Sequence, residues 1–132
     1  MVSSALPYAN GRIHMGHLVE YIQSDIWVRF QRLRGHLCTY VCAADAHGTP
    51  IMISARKEGI DPEALVARAA ADQHQDLQAF GVDFDNFYTT HSPENELLVV
   101  KIFEALRDAG HIYTKVIEQA FDQNEKMFLP DR

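Results

Sequence analysis

The fold of this chain is decided by the stretch Ala5-Leu6-Pro7-Tyr8-Ala9-Asn10-Gly11-Arg12-Ile13-His14-Met15-Gly16-His17-Leu18. A short apolar run from Val2 to Leu6 ends at Pro7, and Asn10 and Gly11 then supply a turn before a long helical pattern begins. The first turn of a helix presents free backbone N–H groups and the positive end of the helix dipole. The stretch therefore predicts a strand, a turn and a helix N-terminus that suits a phosphate group.

The residues after the turn predict a βαβ unit. A helix is expected from about residue 15 to 34, with the apolar stripe Leu18, Ile22, Ile26, Phe30 and Leu33. The apolar run from Leu37 to Ala43 is typical of a strand that is covered on both faces and lies parallel to the first strand. Ligands of open parallel sheets bind outside the carboxyl ends of the strands, which here lie near Tyr8 and Asp45.

Downstream, the pattern predicts a short helix over 51–57 and a second helix from Asp61-Pro62 to Gly81. A third strand or extended segment over 84–90 and a last helix from Ser92 to Gly110 follow. The stripe of the second helix is Leu65, Ala69, Asp72 or Gln73, and Leu77; that of the last is Leu97, Val100, Phe103, Ala105 and Leu106. Two β-favouring runs around a polar turn after residue 111 predict a hairpin. One boundary is expected, near residue 110.

Composition limits the possible functions. The chain has 132 residues, 47% of them apolar, which is enough for one modest core. A membrane span needs about 18 apolar residues in a row, and the absence of such a run and of a signal-peptide pattern leads us to expect a cytoplasmic protein. Residues 1–57 hold six basic and three acidic residues, whereas 58–132 hold six and fifteen. This asymmetry is compatible with an anionic ligand at the N-terminal end and argues against a broad nucleic-acid surface.

Cys38 and Cys42 lie four residues apart in the predicted second strand, a spacing of about 13 Å that excludes a disulfide between them. As small apolar residues they fit a reducing compartment. A zinc site within this chain is not expected, because no further cysteine is present.

The pair His14 and His17 carries the strongest chemical signal. Side chains at i and i+3 project from one face of the first helical turn, and Gly16 between them leaves room for a base or ribose near the backbone. Two imidazole N–H groups and a helix N-terminus can stabilise the charge that develops on phosphate oxygens. The competing use, a metal site, would need Asp45 or His47 as a further ligand.

Two other residues allow two interpretations each. Asp45, at the end of the second strand, either pairs with a substrate ammonium or ribose hydroxyl or serves as a loop cap. Arg12 either contacts phosphate or is a solvated turn residue. Spacing alone does not separate these roles.

At this point the sequence resembles a known family. His14-Met15-Gly16-His17 resembles the HIGH motif of class I aminoacyl-tRNA synthetases. Three longer strings resemble the bacterial methionyl-tRNA synthetases: Ala5 to Gly11, Cys42-Ala43-Ala44-Asp45-Ala46-His47-Gly48-Thr49-Pro50, and Met127-Phe128-Leu129-Pro130-Asp131-Arg132. The resemblance extends along essentially the whole chain.

The resemblance implies an α/β fold: the first half of a Rossmann-like parallel sheet with flanking helices over 1–110, followed by the start of a β-rich connective insertion over 111–132. It implies activation of methionine by ATP, with Mg²⁺, and transfer of the methionyl group to tRNA(Met). The implied nucleotide-binding residues are Asn10, His14, Gly16 and His17, of which the two histidines are catalytic. The implied methionine-binding residues are Ala5, Leu6, Tyr8 and Asp45.

The sequence departs from the family pattern in three respects. Met15 replaces the usual Ile or Leu, a tolerable change of apolar shape. Ala44 stands where the family commonly has a second Asp. The family's length further implies that the KMSKS loop, the zinc-binding cysteines and the anticodon-binding helices lie downstream of Arg132, so that this segment alone is expected to be inactive.

Two alternatives remain at the level of sequence. Small nucleotidylyltransferases also place an H-x-G-H sequence at a helix start. A module that binds nucleotide or methionine without turnover is the non-enzymatic alternative.

Overall fold

The computed structural model describes residues 1–124 and 126–129. The chain divides into two compact units, one of residues Met1–Thr90 and one that begins at His91. The assignment of residues 111–132 to a connective insertion stays a prediction.

The first unit contains a parallel sheet with flanking helices. Its elements in chain order are β1 (Val2–Ser3), α1 (Met15–Leu33), β2 (Tyr40–Ala44), α2 (Thr49–Glu58), α3 (Pro62–Ala79) and β3 (Asn86–Thr89). The strand order is β1-β2-β3 and both pairings are parallel, with Val2 opposite Tyr40 and Val41 opposite Asn86. The α/β, Rossmann-like prediction is confirmed.

Helix α1 buries a face that coincides with the predicted apolar stripe only in its first turns, at Leu18 and the partly buried Ile22. Its buried residues are Leu18, Tyr21, Asp25 and Val28. The predicted positions Ile26, Phe30 and Leu33 are 60%, 49% and 88% exposed. Each step of four residues advances about 40° around a helix with 3.6 residues per turn, so a run of such steps drifts off one face, whereas alternating steps of three and four stay on it. The stripe prediction is therefore confirmed at Leu18 and wrong at Ile26, Phe30 and Leu33, where the inward positions are taken by Tyr21, Asp25 and Val28.

The buried Asp25 has its hydrogen-bonding needs met. One carboxylate oxygen accepts the backbone N–H of Asp83 at 3.0 Å, and the other accepts from Arg29 Nε at 2.5 Å. A buried carboxylate that is paired and hydrogen-bonded is tolerated inside a fold. Asp25 thus attaches α1 to the loop before β3.

The ends of α2 and α3 follow the local sequence signals. Helix α2 ends at Gly59, whose φ of 67° is the left-handed conformation that glycine adopts without strain. Asp61 caps α3 by accepting the Glu63 N–H at 2.8 Å. Helix α3 buries Leu65, Val66, Ala69, Gln73 and Leu77, which confirms the predicted stripe with Gln73 as its polar member.

Strand β2 is covered more fully on one face than on the other. Tyr40, Cys42 and Ala44 are buried, whereas Val41 and Ala43 are half-buried, so the prediction of burial on both faces does not hold for the described residues. Small apolar side chains tolerate partial exposure. Both cysteines are free thiols, and burial raises the pKa of Cys42 to about 11.

The second unit contains α4 (Pro93–Asp108) and the short strands β4 (Phe121–Asp122) and β5 (Met127–Phe128). Helix α4 has no buried residue, so its predicted stripe is not a buried face among the described residues. The two strands pair in antiparallel fashion with Phe121 opposite Phe128. The predicted first arm from Ile112 is a strand only at Phe121–Asp122. The end of the third family-like string, positions 130–132, lies outside the described residues. Across the described ranges, every helix is too short or too polar to span a bilayer.

Candidate active site

The two loops at the carboxyl edge of the sheet are joined through their backbones. The Asp45 N–H donates to the Pro7 carbonyl at 2.8 Å, and the Ala9 N–H donates to the Asp45 carbonyl at 2.8 Å. These bonds place Tyr8 opposite Asp45 as a parallel bridge beyond the end of β1. The structure therefore brings these two predicted site residues to one edge, as the βαβ pattern requires.

Helix α1 begins with an imidazole capping box. His14 is the N-cap, and its Nδ1 accepts the Gly16 N–H at 3.1 Å. In return, His17 Nδ1 accepts the His14 N–H at 3.3 Å. The two rings stack with centroids 3.7 Å apart and an interplanar angle of 19°. The backbone N–H groups of His14 and Gly16, predicted to be free at this helix start, instead donate to imidazole nitrogens.

This bonding pattern assigns the protons of both rings. A nitrogen that accepts an N–H bond carries no proton, so each neutral imidazole has its proton on Nε2. Each ring is therefore held by the backbone through Nδ1 and keeps Nε2–H as a donor. The helix start thus provides two positioned imidazole donors.

His17 favours the neutral form. Partial burial lowers the pKa of His17 below its usual value, the neighbouring His14 lowers it further, and Glu20 opposes both effects. A neutral ring is also what the capping box needs, because a protonated Nδ1 could not accept the His14 N–H. Charge state and helix capping are therefore coupled at this residue.

Gly16 is confined by the ring of His14. A Cβ built at Gly16 would lie 3.1 Å from His14 Cε1 and 3.2 Å from His14 Nδ1, which is tighter than ordinary contact. A side chain at this position would press on the imidazole. Glycine therefore preserves the orientation of His14 in addition to leaving the helix start open.

Ala5 is held at both of its backbone polar atoms by α1. Its N–H donates to Glu20 Oε1 at 2.6 Å, and its carbonyl accepts from the Tyr21 hydroxyl at 2.6 Å. Leu6, the next residue, is 44% exposed. Glu20 and Tyr21 thus position the segment that contains Ala5 and Leu6, for which the family resemblance implies methionine binding.

Tyr8 lies against the second loop at Gly48. A Cβ at Gly48 would come within 2.7 Å of the Tyr8 hydroxyl oxygen, and the φ of Gly48 is +132°. Burial raises the pKa of the Tyr8 phenol; a hydrogen bond with the Ile51 backbone acts in the opposite sense, and the charge of Asp45 adds to the increase. Gly48 is therefore required by both backbone conformation and close packing.

The turn that carries Asn10 is held by α3. Gln73 Nε2 donates to the Tyr8 carbonyl and to the Gly11 carbonyl, both at 2.9 Å. Arg12 pairs with Asp76, with Nη2 to Oδ1 at 2.5 Å and Nε to Oδ2 at 3.1 Å. The Arg12 guanidinium is thus engaged by a carboxylate at the protein surface, and its contact with phosphate stays a prediction. The Arg12 hydrogen bonds lower the pKa of Asp76.

Sequence reasoning missed four residues that position this region: Glu20, Gly48, Gln73 and Asp76. Gln73 had a signal, because it is a polar residue in the otherwise apolar stripe of α3. The others had none that spacing could reveal, since each acts on a residue from another element. His47 makes a 3.4 Å contact through Nδ1 with the Thr90 hydroxyl.

Among the described residues, no three or more His, Cys, Asp or Glu side chains form a group that could hold a metal ion. His14 and His17 instead use their Nδ1 atoms within the helix cap.

A family model and two solved structures to which this chain is similar all describe aminoacyl-tRNA synthetases. The family model described as "tRNA synthetases class I (M)" matches residues 1–132. Methionyl-tRNA synthetase from Mycobacterium tuberculosis in complex with methionyl-adenylate superposes with a TM-score of 0.85 and 25% identity, over 98% of this chain and 25% of its own length. The agnB2 LeuRS from Agrobacterium radiobacter K84, in a ternary complex with tRNA and LeuAMS, has a TM-score of 0.82 and 28% identity over 97% of this chain and 17% of its own.

This chain thus spans a quarter or less of the two solved structures to which it is similar. The family model covers the full length. The chain belongs to the class I aminoacyl-tRNA synthetase family, a family of ligases.

Proposed function

We propose that this chain forms the N-terminal part of the catalytic domain of a methionine–tRNA ligase, which activates methionine with ATP and transfers it to tRNA(Met). The observation that carries this proposal is the pair of stacked, backbone-held imidazoles of His14 and His17. The methionine assignment is supported by the description of the matching family model and by the similarity to the M. tuberculosis enzyme.

In the proposed reaction, a methionine carboxylate oxygen attacks the α-phosphorus of ATP. The bond from that phosphorus to its bridging oxygen breaks, and pyrophosphate leaves with the electron pair. The carboxylate carries no proton to remove, so catalysis rests on positioning and on stabilising the charge on the phosphate oxygens. Neutral Nε2–H donors at a helix start meet this need without acting as bases.

The substrates divide between the two loops. Asn10, His14, Gly16 and His17 lie on the turn and helix start and are assigned to ATP. Ala5, Leu6 and Tyr8 are assigned to the methionine pocket, and Asp45 to the methionine ammonium group. Mg²⁺ would arrive with ATP as part of that substrate. The tRNA then accepts the methionyl group at its 3′-terminal ribose.

The test is amino-acid-dependent exchange of labelled pyrophosphate into ATP by the intact gene product. We expect exchange with methionine and none with leucine, the matched control suggested by the LeuRS similarity. Exchange with leucine alone would reject the methionine assignment and retain the family. The absence of exchange with any amino acid would favour a binding module without turnover.

A further inference from the structure

Helix α3 contains a buried amide that is directed at the loop of the candidate site. Gln73 is 1% exposed and lies between Ala69 and Leu77 on the apolar stripe of α3. Its Nε2 group uses its two N–H donors on two carbonyls at opposite ends of a four-residue turn, those of Tyr8 and Gly11. One side chain thus spans the turn that contains Asn10.

The other side of this amide shows that packing alone does not explain Gln73. Its Oε1 atom is buried and has no hydrogen-bond partner among the described residues. An unbonded buried oxygen costs free energy that a leucine or methionine in the same stripe would avoid. The two hydrogen bonds that Gln73 Nε2 donates to the turn offset this cost.

A second contact from α3 reaches the same loop. Asp76 lies three residues after Gln73, on the same side of the helix, and pairs with Arg12, the residue after Gly11. Gln73 and Asp76 together hold Gly11 and Arg12, which lie three and two residues before the N-cap of α1. We refer to these two side chains as the α3 clamp.

The two sides of the turn are held by different elements. Pro7 and Ala9 are bonded to β2 through the backbone of Asp45, and this side leads to the predicted methionine pocket. Gly11 and Arg12 are bonded to α3, and this side leads to the capping imidazoles. Loss of the clamp also removes a bond to the Tyr8 carbonyl, but Tyr8 lies between Pro7 and Ala9, which stay bonded to Asp45. The nucleotide side of the turn should therefore loosen more than the methionine side.

We propose that Gln73, assisted by Asp76, is a positioning residue for ATP: it fixes the turn from Tyr8 to Arg12 and thereby the start of α1. This inference rests on the proposed function, because the assignment of the turn to ATP does. Gln73 acts through the backbone of the turn, and Asp76 acts through the side chain of Arg12.

The test compares three variants of the intact gene product. Gln73→Met removes both donors at similar volume, Asp76→Asn weakens the exposed pair with little risk to folding, and Gln75→Met is the matched control on the exposed side of α3. For Gln73→Met we expect KM for ATP to rise on the order of 10-fold, with KM for methionine within about twofold. Asp76→Asn should change in the same direction by less, and Gln75→Met should match the parent.

Amide hydrogen exchange provides a measurement that does not depend on activity. In Gln73→Met, the amides of residues 10–14 should exchange faster while those of β2 do not. An equal rise in both KM values, or unchanged exchange and unchanged KM, would overturn the inference. If Gln73→Met does not fold, Asp76→Asn decides between these outcomes. A parent that lacks amino-acid-dependent exchange would refute the proposed function, while the hydrogen-exchange comparison would still decide whether the clamp exists.

Discussion

Replacement of His14 by asparagine and by alanine separates the two roles that its imidazole combines. Nδ1 caps α1 by accepting the Gly16 N–H, whereas Nε2–H is the donor assigned to phosphate. Asparagine is among the best N-cap residues but has no imidazole, and alanine provides neither function. The two variants should therefore differ in stability and agree in their loss of activity.

The expected magnitudes follow from these contacts. Loss of a side-chain N-cap costs about 1 kcal/mol, which corresponds to a roughly 5-fold larger open population of the first turn in His14→Ala. His14→Asn should keep the open population of the first turn close to that of the parent. Loss of one positioned donor to a developing oxyanion costs on the order of 10²-fold in rate, and this loss should appear in both variants.

The assays are amide hydrogen exchange over residues 14–18 and methionine-dependent pyrophosphate exchange. His36→Asn, in the exposed segment after α1, is the matched control and should change neither. Parental activity in His14→Asn would refute the donor role of the imidazole. Equal loss of protection in both His14 variants would refute the capping role.

Three further predictions follow from the structure. Gly48→Ala should raise KM for methionine on the order of 10-fold and KM for ATP by less, because the new Cβ would displace the Tyr8 ring. Gly59→Ala is the control: Gly59 has a positive φ but no neighbour within 4 Å, so this variant has the backbone strain without the contact and should leave KM unchanged. The folded state should lose stability as the pH falls below about 6.5, because the lowered pKa of His17 makes the unfolded chain bind the proton first. Urea titrations from pH 7.5 to 5 measure how the free energy of unfolding depends on pH, and His17→Gln should weaken that dependence. An unchanged pH dependence in His17→Gln would contradict the role of His17. Leu77→Ala should destabilise the fold by about 2–5 kcal/mol because the side chain is fully buried; Leu37→Ala, at a 99% exposed position, is the control, and a similar loss in both would contradict the described core.

Local patterns in the sequence were sufficient to predict the helices and strands of the sheet and their order along the chain. Caps, glycines and apolar runs predicted the helices to within a few residues, and a βαβ unit with parallel strands requires that the loop after β1 and the loop after β2 meet at one edge. The bridge between Tyr8 and Asp45 follows from that topology. The resemblance to the family depended likewise on contiguous strings, above all His14 to His17.

Tertiary structure alone decided which face of α1 is buried and how the site is held. Tyr21 and Asp25 lie inward because Ala5, Asp83 and Arg29 provide their hydrogen-bond partners, and two of these three come from other elements. Gln73 and Asp76 reach a turn more than 60 residues earlier in the chain. Periodicity describes one element at a time, whereas a polar side chain is placed by partners that only the folded chain brings within hydrogen-bonding distance.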